Sequence, residues 1–420
     1  MGFIFYIMAG GSFQSWGRRI ARVVEKNFEE QVAFLGKLVR ARSSNPASPD
    51  ESSAKTPIEK EVAELIYQKL VKVGLKPVRI GVSNSRQNVV GYFGDQKRKS
   101  LILNGHMDTV PPVEDYSLSP FSGTVRRDRL YGVGALDMKG SLSAYVYAVK
   151  ALKDIGVSLS GRVILEFVVD EESGACSKWG TSYLLGRGIT AKAAIIAEPS
   201  GDGDKIGIGH RGGYRFKLKT KGEGIHTGVK AWERKEAGRN AIVDMALVVE
   251  KLANLEIPFK PARAFPGRMP VLTFPTKISG GVSINMVPDR CVAYGDVRLM
   301  PGNSDTQVRL WIQEKLGGLG IDYEIEDLLF VPSMEIDPKE EIVSKMAVQV
   351  EAVAKIKPRL EGIGPWNDAW MLIKRDIPTV CQVPLIGGGA HGADEWVDLK
   401  SLRQLTEVLA RVMVDYLGVN

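Results

Sequence analysis

The sequence predicts an α/β protein: a mainly parallel sheet flanked by helices, interrupted by an inserted α+β sandwich. Three observations predict this. In the first half of the chain, apolar runs of strand length alternate with segments of helical periodicity, the pattern of a parallel sheet covered by helices. In the middle the pattern changes to strand–helix–strand–strand, which makes a compact sheet with its helix on one face. Near the end, helical spacing returns around a further strand. At 420 residues the chain is also too long for one small core.

In order, helical spacing covers 16–41 and 57–74, and strands follow at 88–93 and 100–104. A helix over 136–152 is entered through Asp137. A buried strand at 162–169, a helix at 177–185 and a strand at 193–197 complete the first part. Residues 214–219 alternate apolar and basic and are expected as an edge strand. An amphipathic helix spans 237–255. Strands at 271–278 and 290–299 are joined by a turn at Gly280-Gly281. Helices at 304–316, 338–355 and 400–417, with a strand at 379–383, return to the sheet domain. The expected boundaries are therefore 1–204 and 303–420 for the sheet domain and 205–302 for the insertion. The Ser-, Pro- and Asp-rich stretch 43–55 is expected to be the most flexible.

Composition excludes several classes. The net charge of +7, from 56 basic against 49 acidic residues, is spread along the chain. No basic block or basic–aromatic interleaving tracks a nucleic acid. Cys176, Cys291 and Cys381 are far apart and form no Cys-x-x-Cys pair. A disulfide framework or thiolate zinc site is thus not expected, and a reducing, cytoplasmic compartment fits. No apolar run approaches the roughly 18 residues of a membrane span. Residues 2–8 are apolar but short, with no basic residue before them, so no signal peptide is read. Either Met8 initiates the chain or these residues form a hydrophobic arm.

The chain has four histidines: His106, His210, His226 and His391. His106 follows the strand at 100–104, and His391 follows the strand at 379–383 through a short loop. Asp170-Glu171-Glu172 follows 162–169, and Glu198 follows 193–197. Asp137 enters its helix after the turn Tyr131-Gly132-Val133-Gly134. In open α/β sheets, ligands bind beyond the carboxyl ends of strands. Five separate His, Asp and Glu positions therefore point at one rim. Two imidazoles with carboxylates and no thiolate suit zinc, cobalt or manganese. Each piece alone has a plainer reading, as a loop histidine, a solvated acidic corner or a helix cap. Together they would require several independent coincidences.

The string Asn104-Gly105-His106-Met107-Asp108-Thr109-Val110-Pro111 resembles the first metal motif of one hydrolase family. That family comprises acetylornithine deacetylase, succinyl-diaminopimelate desuccinylase, aminoacylase and carboxypeptidase G. Gly132–Gly140, Asp170-Glu171-Glu172 and Glu198-Pro199-Ser200 resemble its next motifs. Gly281–Pro288, Asp296-Val297-Arg298 and His391-Gly392-Ala393-Asp394-Glu395-Trp396 resemble the later ones. They occur in the family's order over about residues 20–415.

The resemblance implies a two-metal hydrolase that cuts a linear amide bond, with zinc foremost and cobalt or manganese as alternatives. His106 and Glu198 would hold one ion, Glu172 and His391 the other, and Asp137 would bridge them. Asp108 would accept the second N–H of His106 and fix its tautomer. Glu171 would be the general base for the attacking water and return the proton to the leaving amine. The insertion would make a homodimer, with His226 reaching the partner's site to stabilise the oxyanion. Asn285 and Arg298 would bind substrate, Arg298 through bidentate bonds to a carboxylate; pairing of Arg298 with Asp296 is the competing reading. His210 is read as structural.

Two departures bear on substrate. Where the desuccinylase branch carries Arg-Arg-Gly-Ser, this chain has His210-Arg211-Gly212-Gly213. Where that branch carries Gly-Thr-Ser-Asp, it has Gly364-Pro365-Trp366-Asn367-Asp368. Two polar groups suited to a succinyl tail are missing and a bulky Trp366 appears. Acetylornithine-type deacetylation, other N-acyl amino acids and dipeptides remain open, as does a dipeptidase or carboxypeptidase. A non-catalytic binding protein of the same fold would be expected to lack a ligand or the base, and here the full set is present.

Overall fold

The computed structural model describes the backbone of residues 2–46, 55–56, 58–95, 99–172 and 177–420, and side chains from residue 15 onward. Most of the stretch expected to be flexible, 47–54, lies outside the described residues, as does Cys176. The chain divides into two compact units. Met1–Gly209, Ile336–Ile363 and Asn367–Asn420 form the first; His210–Glu335 with Gly364–Trp366 forms the second.

The first unit is built on a six-stranded sheet. Its order is Val78–Gly81, Gln87–Gly94, Arg162–Val168, Ser100–His106, Ala193–Ile196, Thr379–Val380. The first two strands run antiparallel, and the last four pair in parallel. Leu101, Ile102 and Leu103 in the central strand are all fully buried. That strand is covered on both faces, which is why it reads as a continuous apolar run. The helix Ser141–Asp154 packs between the sheet and the helices Gly2–Arg40 and Leu399–Leu417. It is apolar nearly all round for the same reason.

Two local expectations change. The segment entered through Asp137 is not regular helix. Ala135–Gly140 is a kinked turn in which Asp137 (φ −112°, ψ 95°) leaves helical dihedrals, and the regular helix begins at Ser141. The single strand expected over 379–383 is two: Thr379–Val380 closes the first sheet, and Val383–Gly388 joins another. That second sheet has the order Thr124–Arg126, Arg129–Tyr131, Trp396–Asp398, Val383–Gly388, Pro199–Gly201. It draws the chain around Glu198 and His391 together.

In the second unit four antiparallel strands run in the order Val271–Gly280, Arg290–Leu299, Gly212–Lys221, Tyr323–Val331. The helices Ala241–Ala253 and Asp305–Leu316 share one core with them, including Tyr214, Phe216, Met245, Val297, Val308 and Ile312. The insertion thus extends past the expected boundary at 302. Val308, Ile312 and Leu316 recur every four residues, which marks a buried helix face without saying which sheet it covers. The expected edge strand is also interior. Lys217, Lys219 and Lys221 on Gly212–Lys221 pair with Glu324 and Glu326 on the neighbouring strand. Its alternation records cross-strand ion pairing, and the edges are Val271–Gly280 and Tyr323–Val331. Among the described residues no helix is long and apolar enough to cross a membrane.

Candidate metal centre

Three adjacent parallel strands of the first unit end at one rim. His106 closes Ser100–His106, Glu171 and Glu172 follow Arg162–Val168, and Glu198 follows Ala193–Ile196. Asp137 comes from the kinked turn and His391 from the loop after Val383–Gly388. Asp170 and His391 both adopt left-handed φ, 71° and 60°. Such non-glycine conformations concentrate at functional loops, where surrounding structure holds them.

Asp137 stands between the two imidazoles. Its Oδ1 lies 3.1 Å from His106 Nε2, and its Oδ2 lies 3.4 Å from His391 Nε2. His106 Nε2 is also 3.5 Å from Glu198 Oε1, and His391 Nε2 is 3.2 Å from Glu172 Oε1. The donors form two triads sharing Asp137: His106, Asp137 and Glu198; Asp137, Glu172 and His391. Glu171 belongs to a third group with His106 and Glu172, its ligand atoms within 4.8 Å of one another. His106 is 2% exposed, whereas the His391 side chain is 54% exposed, so the centre opens to solvent on the His391 side.

The electrostatics reflect this crowding. Burial, together with neighbouring Asp137, pushes Glu198 up to about 8. Burial and the carboxylates of Glu172, Asp368 and Glu198 raise Glu171 well above its ordinary range, with His106 opposing. Hydrogen bonds to Asp137 and Glu172 lift His391 to about 11. Burial disfavours an ionised Asp137, yet the two imidazoles hold it far below the usual carboxylate range. Packed carboxylates facing two imidazole nitrogens fit divalent cations, and the oxygen–nitrogen donor set matches zinc, cobalt or manganese. Among the described residues no cysteine joins these groups.

Asp108 is placed differently from expectation. His106 Nδ1 donates to the main-chain carbonyl of Asp108 at 3.0 Å, while the Asp108 carboxylate is 3.6 Å away, too far for a hydrogen bond. A carbonyl oxygen only accepts, so Nδ1 donates to it, while Nε2 faces the carboxylates of Asp137 and Glu198. The carboxylate instead accepts from Asn45 Nδ2 at 2.8 Å and from the main-chain N–H of Glu172 at 2.9 Å and Glu171 at 3.3 Å. Those three donors compete successfully for it, and it fastens the loop bearing both glutamates.

Three further features carry weight that the sequence reading did not assign. Arg86, fully buried, pairs with Glu59 and lies 3.5 Å from Asp170, while the Asp170 N–H donates to Glu59 at 3.2 Å. This braces the turn before Glu171, and nothing in the local sequence around Arg86 announces it. Buried Asp368 accepts from the Thr181 hydroxyl at 2.6 Å and is pushed to about 6 by burial. Glu395, present in the His391 string, binds the Asp137 turn.

His226, Asn285 and Arg298 lie in the second unit. His226 is exposed; its Nε2 is 3.2 Å from Asn285 Nδ2, and its Nδ1 accepts the Gly228 N–H at 3.1 Å. Arg298 Nε donates to Asp296 at 2.7 Å, and its guanidinium lies over the Trp366 ring at 4.4 Å. Arg215 also donates to Asp296, at 3.1 Å, and lies over Trp366 at 5.0 Å. The two sequence departures are here one structural change, because a Cβ at Gly213 would run into the Trp366 ring. Gly213→Ser alone is expected to cost about 1–3 kcal/mol by overpacking. In a Trp366→Thr background the same change should be near neutral. Chemical unfolding of the four proteins of this cycle measures the coupling.

The sequence model of peptidase family M20/M25/M40 matches residues 102–415. The chain belongs to that family. With it, this M20 chain is a metal-dependent hydrolase of amide bonds. It is 27% identical to the N-formyl-4-amino-5-aminomethyl-2-methylpyrimidine deformylase of Bacillus subtilis, over 94% of this chain and 97% of that one. It is 28% identical to the succinyl-diaminopimelate desuccinylase of Dinoroseobacter shibae, over 92% and 99%. Among solved structures, an M20 family metallo-carboxypeptidase from Sulfolobus solfataricus shares the fold. Its TM-score is 0.73 at 20% identity, covering 92% of this chain and 99% of that one.

Proposed function

We propose that this chain hydrolyses the linear amide bond of an N-acyl amino acid with two divalent metal ions, as acetylornithine deacetylase and succinyl-diaminopimelate desuccinylase do. The observation that carries this is Asp137, whose two oxygens face two different imidazoles, each with its own glutamate partner. His106 and Glu198 would hold one ion and Glu172 and His391 the other, with Asp137 common to both. When bound, the ions would polarise the amide carbonyl and make water a stronger nucleophile at neutral pH. Glu171 takes the proton from the attacking water at its carboxylate and returns it to the leaving nitrogen. Asp108 and the Arg86–Glu59 pair keep the Glu171–Glu172 loop in register for that transfer.

Relatives named for removal of formyl and succinyl groups support a small acyl group on nitrogen. Gly213 and Trp366 stand where the desuccinylase branch has polar groups, which favours an acyl group other than succinyl. The test is a panel of N-formyl, N-acetyl and N-succinyl amino acids and dipeptides offered to protein loaded with Zn²⁺, Co²⁺ or Mn²⁺. Turnover of N-acyl amino acids is expected; cleavage confined to dipeptides would make this a peptidase instead.

The second unit is the proposed dimer interface. Among the described residues its edge strand Val271–Gly280 is unpaired on one side, and Ile278, Val282, Ile284, Val243 and Leu247 are exposed along that strand, its following loop and the helix Ala241–Ala253. His226 would act in the partner's site. Two inactive proteins, His226→Ala and Glu171→Ala, should then recover activity when mixed, because mixed dimers hold one intact composite site. No recovery after confirmed subunit exchange would show that the site is not shared.

A further inference from the structure

Glu395 has no role in the reading above, yet it is among the most completely engaged carboxylates near the metal centre. It is 2% exposed. Its Oε1 accepts the main-chain N–H groups of Leu136 at 2.8 Å and Asp137 at 2.9 Å, and its Oε2 accepts that of Gly134 at 2.8 Å. Its own carbonyl accepts the Gly132 N–H at 2.8 Å. The first N–H groups of a helical turn lack partners within the turn, and here one carboxylate supplies them. Asp137 itself sits at non-helical dihedrals, so its side chain is aimed by the main chain that Glu395 grips.

The same short loop carries His391. Gly389, at φ 74°, lies so close to Glu395 that a Cβ there would meet the Glu395 main chain at 3.0 Å. The Gly392 N–H closes back on the Gly389 carbonyl at 2.8 Å. His391 and Glu395 are therefore held in one compact turn.

We propose that Glu395 is a positioning residue of the metal centre: its carboxylate fixes the turn that aims Asp137 and locks that turn to the loop bearing His391. This rests on the two-metal reading given above. Replacing the carboxylate by a carboxamide turns an NH₂ toward at least one main-chain N–H, so the clamp loses a bond and gains a repulsion.

The test is titration of metal-stripped protein with Co²⁺ alone, followed by the visible absorption of the bound ion. Wild-type protein should bind two equivalents. Glu395→Gln should keep its far-ultraviolet circular dichroism but bind Co²⁺ about 10–100-fold more weakly, as outer partners of ligands do. Its Co²⁺ spectrum should change, and kcat should fall while KM stays near the wild-type value. Glu395→Asp, which keeps both oxygens one carbon shorter, should lie between the two and serves as the probe should the glutamine variant not fold. Wild-type Co²⁺ affinity and spectrum in a folded variant would overturn the role of Glu395. A wild-type protein that takes up no Co²⁺ would overturn the metal-centre reading itself.

Discussion

Glu171→Gln is expected to slow turnover by about 10²–10⁴-fold, the usual contribution of a general acid–base, while metal content stays at the wild-type level. The amide keeps the shape of the side chain but cannot accept the proton. Glu171 and Glu172 are adjacent, and the left-handed Asp170 before them turns the chain out of the strand. Both carboxylates reach the same region, within 4.8 Å of each other and of His106, but it is Glu172 whose oxygen also approaches His391, at 3.2 Å. Burial among carboxylates raises the proton affinity of Glu171, which suits a group that must take a proton and hold it. Glu172→Gln should instead weaken one metal position, because a neutral amide is a poorer ligand. Metal analysis and turnover on both variants decide the matter. Metal loss in Glu171→Gln but not in Glu172→Gln would exchange the two roles. Near-normal rates in both would place the chemistry elsewhere.

Removal of metal is expected to reduce hydrolysis by at least about 10³-fold, since Lewis-acid stabilisation contributes several kcal/mol to the barrier. Zn²⁺, Co²⁺ or Mn²⁺ should restore it. Mg²⁺ should not, because an imidazole in each triad is a poor partner for a hard, octahedral, oxygen-seeking ion. On the proposed assignment the ions bind where folding brings His106, Asp137, Glu172, Glu198 and His391 together. The stripped protein should therefore also melt at a lower temperature than the loaded one. Undiminished hydrolysis in rigorously metal-free protein would rule out this chemistry.

Much of this was legible in the sequence because strand ends are legible. An apolar run such as Leu101-Ile102-Leu103 followed three residues later by His106 identifies both a buried strand and a residue at its rim. The order in which such strands lie side by side is what the structure adds. What stayed hidden was carried by the main chain. The Nδ1–H of His106 is held by a carbonyl oxygen, which has no letter in the sequence. The grip of Glu395 falls on three N–H groups more than 250 residues earlier in the chain. Arg86 meets Glu59 and Asp170 only through the fold. The helix Asp305–Leu316 shows the other limit: its apolar spacing marks a buried face, but only the pairing of Tyr323–Val331 with Gly212–Lys221 assigns it to the second unit.

The central claim is that each chain holds two metal ions with Asp137 shared between them. The most direct measurement is calorimetric titration of Zn²⁺ into metal-stripped protein, with hydrolysis of an N-acyl amino acid followed at each addition. The account predicts saturation at two equivalents per chain, activity rising with occupancy, and loss of both binding events in Asp137→Ala. Saturation at a single equivalent, or two undisturbed binding events in Asp137→Ala, would contradict it.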